Sequence, residues 1–211
     1  MNFKKLLLIL IFITPFAFAQ ETLTPTQKLD KTLSWWKTLS ADFTQIIVDT
    51  NDRVIHKYKG HVYLEKPNHF RWLIKTPEPQ TIVSDGKNLW IYDEELAQVS
   101  IQPVTEQLSE TPAMFLSGSF KKIEEGFKIS LLKSAADEQL FLLVPKNTDN
   151  LIERIEMTFS SDSNIKNLKI LDAMQQTTTI NFMNVRDNPK LSEELFTFVV
   201  PKNVDVIGEA R

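Results

Sequence analysis

The segment K-P-N-H-F-R-W-L-I-K, residues 66–75, decides the fold class because apolar side chains recur in it at every second position. Phe70, Trp72 and Ile74 share one face of an extended chain, which is the pattern of a β-strand with one buried side. Arg71 points to the opposite, polar side. The segment therefore predicts a strand whose apolar face is covered by another part of the protein.

Similar alternation, interrupted by turn residues, extends over most of the chain and predicts about eleven strands. Asp85-Gly86 gives the strongest hairpin signal between two of them. Because consecutive strands are joined by short turns, the sheet is predicted to be an antiparallel meander. The predicted strands are 40–52, 54–66, 69–75, 80–84, 89–92, 96–101, 127–132, 139–144, 151–160, 165–171, 177–185 and 196–200.

Helix signals are few and short. Thr24 is a predicted N-cap, a proline follows it at the first helical position, and Gln27 completes a capping box. Apolar residues at helical spacing carry this helix to a predicted end near Leu39. A second helix is predicted at 111–118, with a threonine cap and a glycine stop, and a helical turn at 192–195.

The predicted helices are too small to cover so many one-sided strands laid flat. The sheet is therefore predicted to curl around the helices into a barrel or half-barrel. The interior of a curled sheet of this size is filled either by packed side chains or by an apolar ligand cavity. The patterning alone leaves both interiors open.

The first 19 residues have the three parts of a secretory signal: lysines, an apolar run and small residues at Ala17 and Ala19. The apolar run is shorter than the roughly 20 residues of a membrane span. We therefore expect a cleaved signal peptide at 1–19, a single domain at 20–211 and a periplasmic location. The net charge of −3 and the lack of a basic stripe argue against nucleic acid as a partner.

Residues that could support catalysis or metal binding form no recognisable motif. The chain has no Cys, which excludes disulfides, thiolate metal sites and N-terminal lipid attachment through cysteine. His56 and His61 are five residues apart on one predicted strand and so project from opposite faces. The acidic run at 93–95 is typical of a solvated turn. The sequence predicts a protein that is not an enzyme and that has no metal and no cofactor.

Five short motifs in a fixed order carry a resemblance to a known family. The chain resembles the LolA family of periplasmic carriers of outer-membrane lipoproteins over essentially all of residues 20–211. The motifs are D-F-T-Q (42–45), K-P-N-H-F-R-W (66–72), V-S-D-G-K-N-L-W-I-Y-D (83–93), T-P-A-M-F-L (111–116) and F-x-F-x-x-P (196–201).

The resemblance implies an incomplete antiparallel β-barrel of about eleven strands, with a lid of short α-helices over an apolar cavity. It implies a monomeric carrier that accepts acylated lipoproteins from an inner-membrane ABC transporter and delivers them to an outer-membrane receptor. That receptor is a lipid-anchored relative, and the absence of Cys excludes the receptor role for this chain.

The resemblance also implies the site residues. Phe70 and Trp72 match positions at the mouth of the acyl-chain cavity, and Met114 and Leu116 match the lid helix; a plain packed core is the alternative. Lys66 stands where the family has an arginine that bonds lid carbonyls and holds the lid closed. A lysine has a flexible stem instead of a planar fork. Either Lys66 is therefore a weaker latch, or another residue supplies the latch; Arg71 is disfavoured because it points to the face opposite Phe70.

Two other functional classes are alternatives to a lipoprotein carrier. One is a periplasmic sensor module of similar half-barrel fold that binds a lipid or a lipoprotein, although residues 20–211 leave little room for a second, signalling domain. The other is a periplasmic hydrolase, against which the missing nucleophile and base motif counts.

Overall fold

The computed structural model describes residues 23–104, 112–147 and 151–210. Over these ranges the protein is mainly β, with twelve strands in one sheet and three short α-helices. The helices are α1 (Pro25–Ser34), α2 (Pro112–Ser117) and α3 (Phe120–Gly126). The strands are β1 (Thr38–Val48), β2 (Val54–Glu65), β3 (His69–Thr76), β4 (Gln80–Asp85), β5 (Asn88–Asp93), β6 (Gln98–Pro103), β7 (Phe127–Ser134), β8 (Glu138–Pro145), β9 (Ile152–Ser160), β10 (Ile165–Asp172), β11 (Thr177–Asp187) and β12 (Asp205–Ile207).

The sheet has the order β12-β6-β5-β4-β3-β2-β1-β11-β10-β9-β8-β7. Each half of the chain forms an antiparallel meander, and the pairing of β1 with β11 joins the halves. The sheet is open, with β12 and β7 at its edges, which confirms the predicted incomplete barrel. The described residues form twelve strands. The last of them, β12, was not predicted and adds to β6 in parallel.

The start of α1 is confirmed, but its predicted end is wrong. Thr24 and Gln27 form the capping box, with the Gln27 amide 3.2 Å from Thr24 Oγ1. The helix ends at Ser34, and Leu39 lies fully buried in β1. Tertiary hydrogen bonds replace helical ones after the end: the Lys37 amide donates to Asn188 Oδ1 at 2.8 Å. A helical spacing of apolar residues could not reveal a partner so distant in sequence.

The C-terminal region differs from the predicted strand at 196–200. A 3-10 turn spans Glu193–Phe196, and an extended segment follows it without pairing to the sheet until β12. Arg71 donates hydrogen bonds to two carbonyls of this region, from Nε to Leu195 O at 2.6 Å and from Nη2 to Thr197 O at 2.8 Å. Side-chain donors thus replace the backbone donors that a neighbouring strand would supply.

The helices pack on the inner face of the curved sheet and together form the lid. α2 packs on β2 and β3, and α1 and α3 pack against β7. The helix α3 was not predicted, whereas α2 was. The predicted cap of α2 at residue 111 and the predicted signal peptide at 1–19 lie outside the described residues. None of the described helices has the length and apolar character needed to cross a membrane.

One large apolar cluster joins the lid to the inner face of the sheet. The predicted alternation in β3 is confirmed, because Phe70 and Trp72 are buried in this cluster and Arg71 lies on the other face. A second, smaller cluster around Trp90 lies on the outer face, where Phe198 of the C-terminal segment covers it.

Candidate functional site

Phe70 and Trp72 lie in the centre of the inner face, on β3. Phe70 is 0 % exposed and Trp72 is 3 % exposed. The Trp72 ring lies 4.2 Å from the ring centroid of Phe43 on β1 and 6.5 Å from that of Phe182 on β11. Aromatic side chains from three different strands therefore form one continuous apolar surface under the lid.

Met114 and Leu116 lie on the lid helix α2 and face the same cluster. Both are buried, together with Phe115, whose ring meets Phe127 edge-on at 5.8 Å. The structure thus brings all four residues of the predicted acyl-chain cavity into one apolar cluster. The flexible side chain of Met114 adapts easily to new neighbours, so its contacts in this interface can be repacked.

The turn between β2 and β3 holds the end of α2 through the backbone. The Asn68 amide donates to Ser117 O at 3.0 Å. Ser84 Oγ, on β4, donates in turn to Asn68 O at 2.6 Å. These bonds connect the lid directly to the turn that carries Lys66.

Lys66 bonds the lid from the end of β2. Its Nζ donates to Leu33 O, in the last turn of α1, at 2.6 Å. Nζ also lies 3.6 Å from the centroid of the Trp36 ring, a cation–π contact. A cation at the C-terminal end of a helix is favoured by the helix dipole. Lys66 is therefore placed to hold α1 against the sheet.

Burial changes the titration of Lys66. Removal from water lowers the pKa of its ammonium to about 8, and the negative charge of Asp30 opposes this change. The side chain borders a groove between the end of α1 and the connection from α2 to α3, with Phe120 on the far side. A partly desolvated, titratable cation thus lies where the three helices of the lid meet.

The lid contains two buried polar atoms without a hydrogen-bond partner among the described residues, Trp36 Nε1 and Ser117 Oγ. Each such atom costs about 1–3 kcal/mol relative to its hydrated state. Both lie on or beside the lid helices. The closed arrangement is therefore less stable than a fully satisfied interface of the same size, which lowers the cost of opening it.

An apolar pocket of about 290 Å³ lies beside α2, between the lid and the strands β9 to β11. Phe115 and Ile155 belong to its wall, and the largely exposed Leu151 and Met174 stand at its rim. Pockets that hold drug-sized molecules span about 300–1,000 Å³. A guest with several long hydrocarbon chains therefore requires the lid to move.

The sequence did not reveal some of the polar contacts of the site. From the sequence, Trp36 was interpreted as one of the apolar residues at helical spacing. Its contact with Lys66 could not be inferred, because Lys66 is 30 positions away along the chain. From the sequence, Ser84 was interpreted as a residue of its own turn. In the structure its hydroxyl bonds Asn68 O and so supports the turn between β2 and β3 that holds α2. No cluster of three metal-binding side chains occurs in the part of the chain that the structure describes.

Comparison with known proteins places the chain in a family. Residues 34–199 match the model of "Outer membrane lipoprotein carrier protein LolA". The outer-membrane lipoprotein carrier protein of Hahella chejuensis is 38 % identical over 175 residues, covering 82 % of this chain and 83 % of the relative. That of Pseudomonas paraeruginosa is 36 % identical over 183 residues, covering 87 % of each chain.

Solved structures are similar in fold. An uncharacterized conserved protein from Thermus thermophilus aligns with a TM-score of 0.53 at 14 % identity, covering 86 % of this chain and 99 % of that one. The family match spans all the elements from the end of α1 to the C-terminal segment that Arg71 holds. On these grounds the chain belongs to the LolA family of outer-membrane lipoprotein carrier proteins.

Proposed function

We propose that this protein carries acylated lipoproteins through the periplasm, with their acyl chains held between the lid and the inner face of the sheet. The observation that carries the proposal is the buried aromatic surface of Phe70 and Trp72, covered by Met114 and Leu116 of α2. The family and the names of its relatives support the same role.

Acyl chains need such a cover because water excludes them. Three chains of about 15 methylenes each cost on the order of tens of kcal/mol in water, at about 0.8 kcal/mol per CH₂. A carrier replaces membrane contacts with apolar protein contacts. The transport step forms and breaks no covalent bond, so the interior needs no catalytic residue.

Release is as necessary as binding, and the lid supplies a means for it. When the carrier is empty, α2 fills the interior with its own side chains, and Lys66 restores its bond to Leu33 O. The free energy regained by closing offsets part of the loss of the acyl chains. Lys66 is thus the proposed latch, and the four apolar residues are the proposed acyl-chain contacts.

The route of transport follows from the same assignment. Residues 1–19 are the proposed signal peptide, and residues 20–211 form the carrier domain, acting as a monomer in the periplasm. An inner-membrane ABC transporter is the proposed donor of the lipoprotein, and a lipid-anchored outer-membrane receptor is the proposed acceptor.

A release assay tests this function directly. Inner-membrane vesicles with the transporter and a triacylated lipoprotein are mixed with ATP and the purified protein, and soluble lipoprotein is measured after the vesicles are removed. We expect a stable one-to-one complex between the protein and the released lipoprotein. A cargo that lacks the acylated cysteine should form no such complex. No release by folded protein would contradict the proposal. For glutamate substitutions on the buried face, such as Phe70→Glu, the matched surface control is Val54→Glu, at an exposed position on β2.

A further inference from the structure

A line of four hydrogen-bonded side chains crosses the outer face of the sheet, away from the lid. Ser40 Oγ lies 2.9 Å from His61 Nε2. His61 Nδ1 lies 2.7 Å from Asp42 Oδ1, and Asn184 Nδ2 donates to Asp42 Oδ2 at 2.8 Å. Hydroxyl, imidazole and carboxylate thus follow one another at distances suitable for a nucleophile, a base and a group that orients the base.

The strand register explains how these residues meet. Asp42 of β1 pairs directly with His61 of β2, and Ser40 pairs with Tyr63. Ser40 and Asp42 are two positions apart, so both project from the outer face, whereas Ala41 and its neighbours on the inner face are buried. The imidazole lies between the two side chains of β1 and contacts both.

Asp42 sets the tautomer of His61. The hydrogen bonds from Asn184 and His61 lower the pKa of the Asp42 carboxyl, so it is ionised and accepts a proton donor from His61 Nδ1. The other ring nitrogen, Nε2, is then the acceptor for the Ser40 hydroxyl proton. This is the arrangement that turns a serine hydroxyl into a nucleophile.

The backbone around these residues departs from a regular ladder. The pairing of β1 with β11 shifts register between Ser40 and Asp42. Asn184, which holds the Asp42 carboxylate, has a φ of 52°. Bulges and left-handed non-glycine residues occur often beside functional sites because they re-aim side chains. Here they place the Asn184 amide on the carboxylate.

The line opens into a pocket of about 550 Å³. Ser40 and His61 lie in its wall, together with Tyr63, Arg186 and Lys190. The last three carry hydrogen-bond donors, and two of them are positively charged. These two positive charges in the wall of the pocket attract a small guest with a negative charge.

We propose that Ser40, His61 and Asp42 form a hydrolytic site for short carboxylic esters that carry a negative charge. The Ser40 Oγ lone pair attacks the ester carbonyl carbon, and the hydroxyl proton passes to His61 Nε2. The ester C–O bond breaks, and the alcohol leaves with that proton. Water then attacks the acyl-serine carbonyl carbon and gives a proton to His61. The bond from the acyl carbon to Ser40 Oγ breaks, His61 returns the proton to Oγ, and the acid leaves and ionises to the carboxylate in water.

This proposal goes beyond lipoprotein carriage and beyond the sequence-based expectation of a protein that is not an enzyme. The sequence showed no motif because His61 lies 21 positions from Ser40 and 19 positions from Asp42, on the other strand of a hairpin. The site also lies on the face of the sheet opposite the proposed acyl-chain contacts, so carriage and ester hydrolysis can be tested separately.

The first test uses the unmodified protein. Purified folded protein is incubated with a fluorophosphonate, and the modified residue is located by mass spectrometry of its peptides. We expect a covalent adduct on Ser40 that forms at least about 100-fold faster than on other serines, in line with activation by a base. Absence of an adduct on Ser40 would overturn the proposal, whether or not lipoprotein is carried.

The second test measures turnover. Hydrolysis of mono-4-nitrophenyl succinate, an anionic ester, should be saturable and faster than that of neutral 4-nitrophenyl butyrate. Ser40→Ala and His61→Gln should each reduce the rate at least about 100-fold. The controls Ser100→Ala, on β6, and His56→Gln, on the same strand as His61, should leave it unchanged. Equal rates in folded Ser40→Ala and unmodified protein would show a contaminant and contradict the site.

Discussion

Lys66 and Arg71 hold two different segments against the same sheet, and their side chains do so with different geometry. Lys66 donates to one carbonyl at the end of α1 and rests on the Trp36 ring. Arg71 donates to two carbonyls, Leu195 O and Thr197 O, at the end of the 3-10 turn. Lys66 thus lies at the C-terminal end of α1, where the helix dipole favours a cation, whereas Arg71 binds a single 3-10 turn.

The difference between the two contacts matches what each segment must do. The planar guanidinium of Arg71 binds its two carbonyls in a fixed geometry, which suits a permanent attachment. The flexible ammonium of Lys66 makes a single hydrogen bond and is readily exchanged for water. The proposed opening of the lid needs the second kind of contact, and a permanently attached C-terminal segment needs the first.

The largest expected effect lies under the lid. Phe70→Glu places a carboxylate where the residue is fully buried, and an unpaired buried charge is costly. We expect the β-sheet to persist in circular dichroism while lipoprotein release in the vesicle assay is lost. Phe70→Leu, which keeps the site apolar, should retain most of the activity. Normal release by folded Phe70→Glu would remove Phe70 from the acyl-chain contacts.

Arg71→Ala should free the C-terminal segment. Two hydrogen bonds from a charged donor are lost, and each is worth about 1.5–3 kcal/mol when well formed. We expect the free energy of unfolding to fall by about 3 kcal/mol, with release of lipoprotein changed less than in Phe70→Glu. Urea unfolding measures the loss. Arg71→Lys should recover less than half of it, since an ammonium cannot hold both carbonyls; full recovery would contradict the argument from geometry.

Lys66→Leu should weaken the closed lid by removing one charge-assisted bond, about 1.5–3 kcal/mol. The lid should then open more readily, so that the protein binds an apolar fluorescent probe and lipoprotein more tightly but transfers lipoprotein poorly. Lys66→Arg should have the opposite effect by favouring the empty, closed state. Unchanged loading and transfer in both variants would contradict the proposed role of Lys66 as the latch.

The smallest expected effect is a pH dependence of the lid. Burial lowers the pKa of Lys66 to about 8 in the closed protein, whereas an opened lid returns it toward its usual value of about 10.4. The closed state binds the proton more weakly, so raising the pH between these values favours closure. The neutral amine can still donate to Leu33 O.

Probe binding measures this effect. We expect apolar-probe fluorescence to decrease from pH 7 to pH 9.5 in the unmodified protein and to stay flat in Lys66→Leu. A decrease of the same size in Lys66→Leu would assign the change to another group.

Much of the fold follows from local patterns in the sequence. The capping box of Thr24 and Gln27 marks the start of α1 because its two bonds lie within one turn of chain. The Asp85-Gly86 turn marks the hairpin of β4 and β5, and Gly86 has the positive φ that such turns require. The alternation in β3 assigns Phe70 and Trp72 to one face.

The proposed site was only partly predictable, because some of its contacts join residues that are distant in the sequence. Lys66 was expected to bond lid carbonyls through the resemblance to the family, and its Nζ does bond Leu33 O in α1. The Trp36 ring beneath it could not be expected, since nothing in the local sequence distinguishes this ring from other apolar residues of a helical stripe. Its proximity to Lys66 depends on how α1 sits on the sheet.

The sequence by itself determined the strands β1 to β11 and the buried face of β3, because these depend on side-chain period and turn chemistry between near neighbours. Tertiary structure decided where α1 ends, since the bond from the Lys37 amide to Asn188 spans 151 positions. It also decided the parallel pairing of β12 with β6 and the line from Ser40 through His61 to Asp42. These features depend on strand register and on contacts between distant segments, which apolar periodicity does not encode.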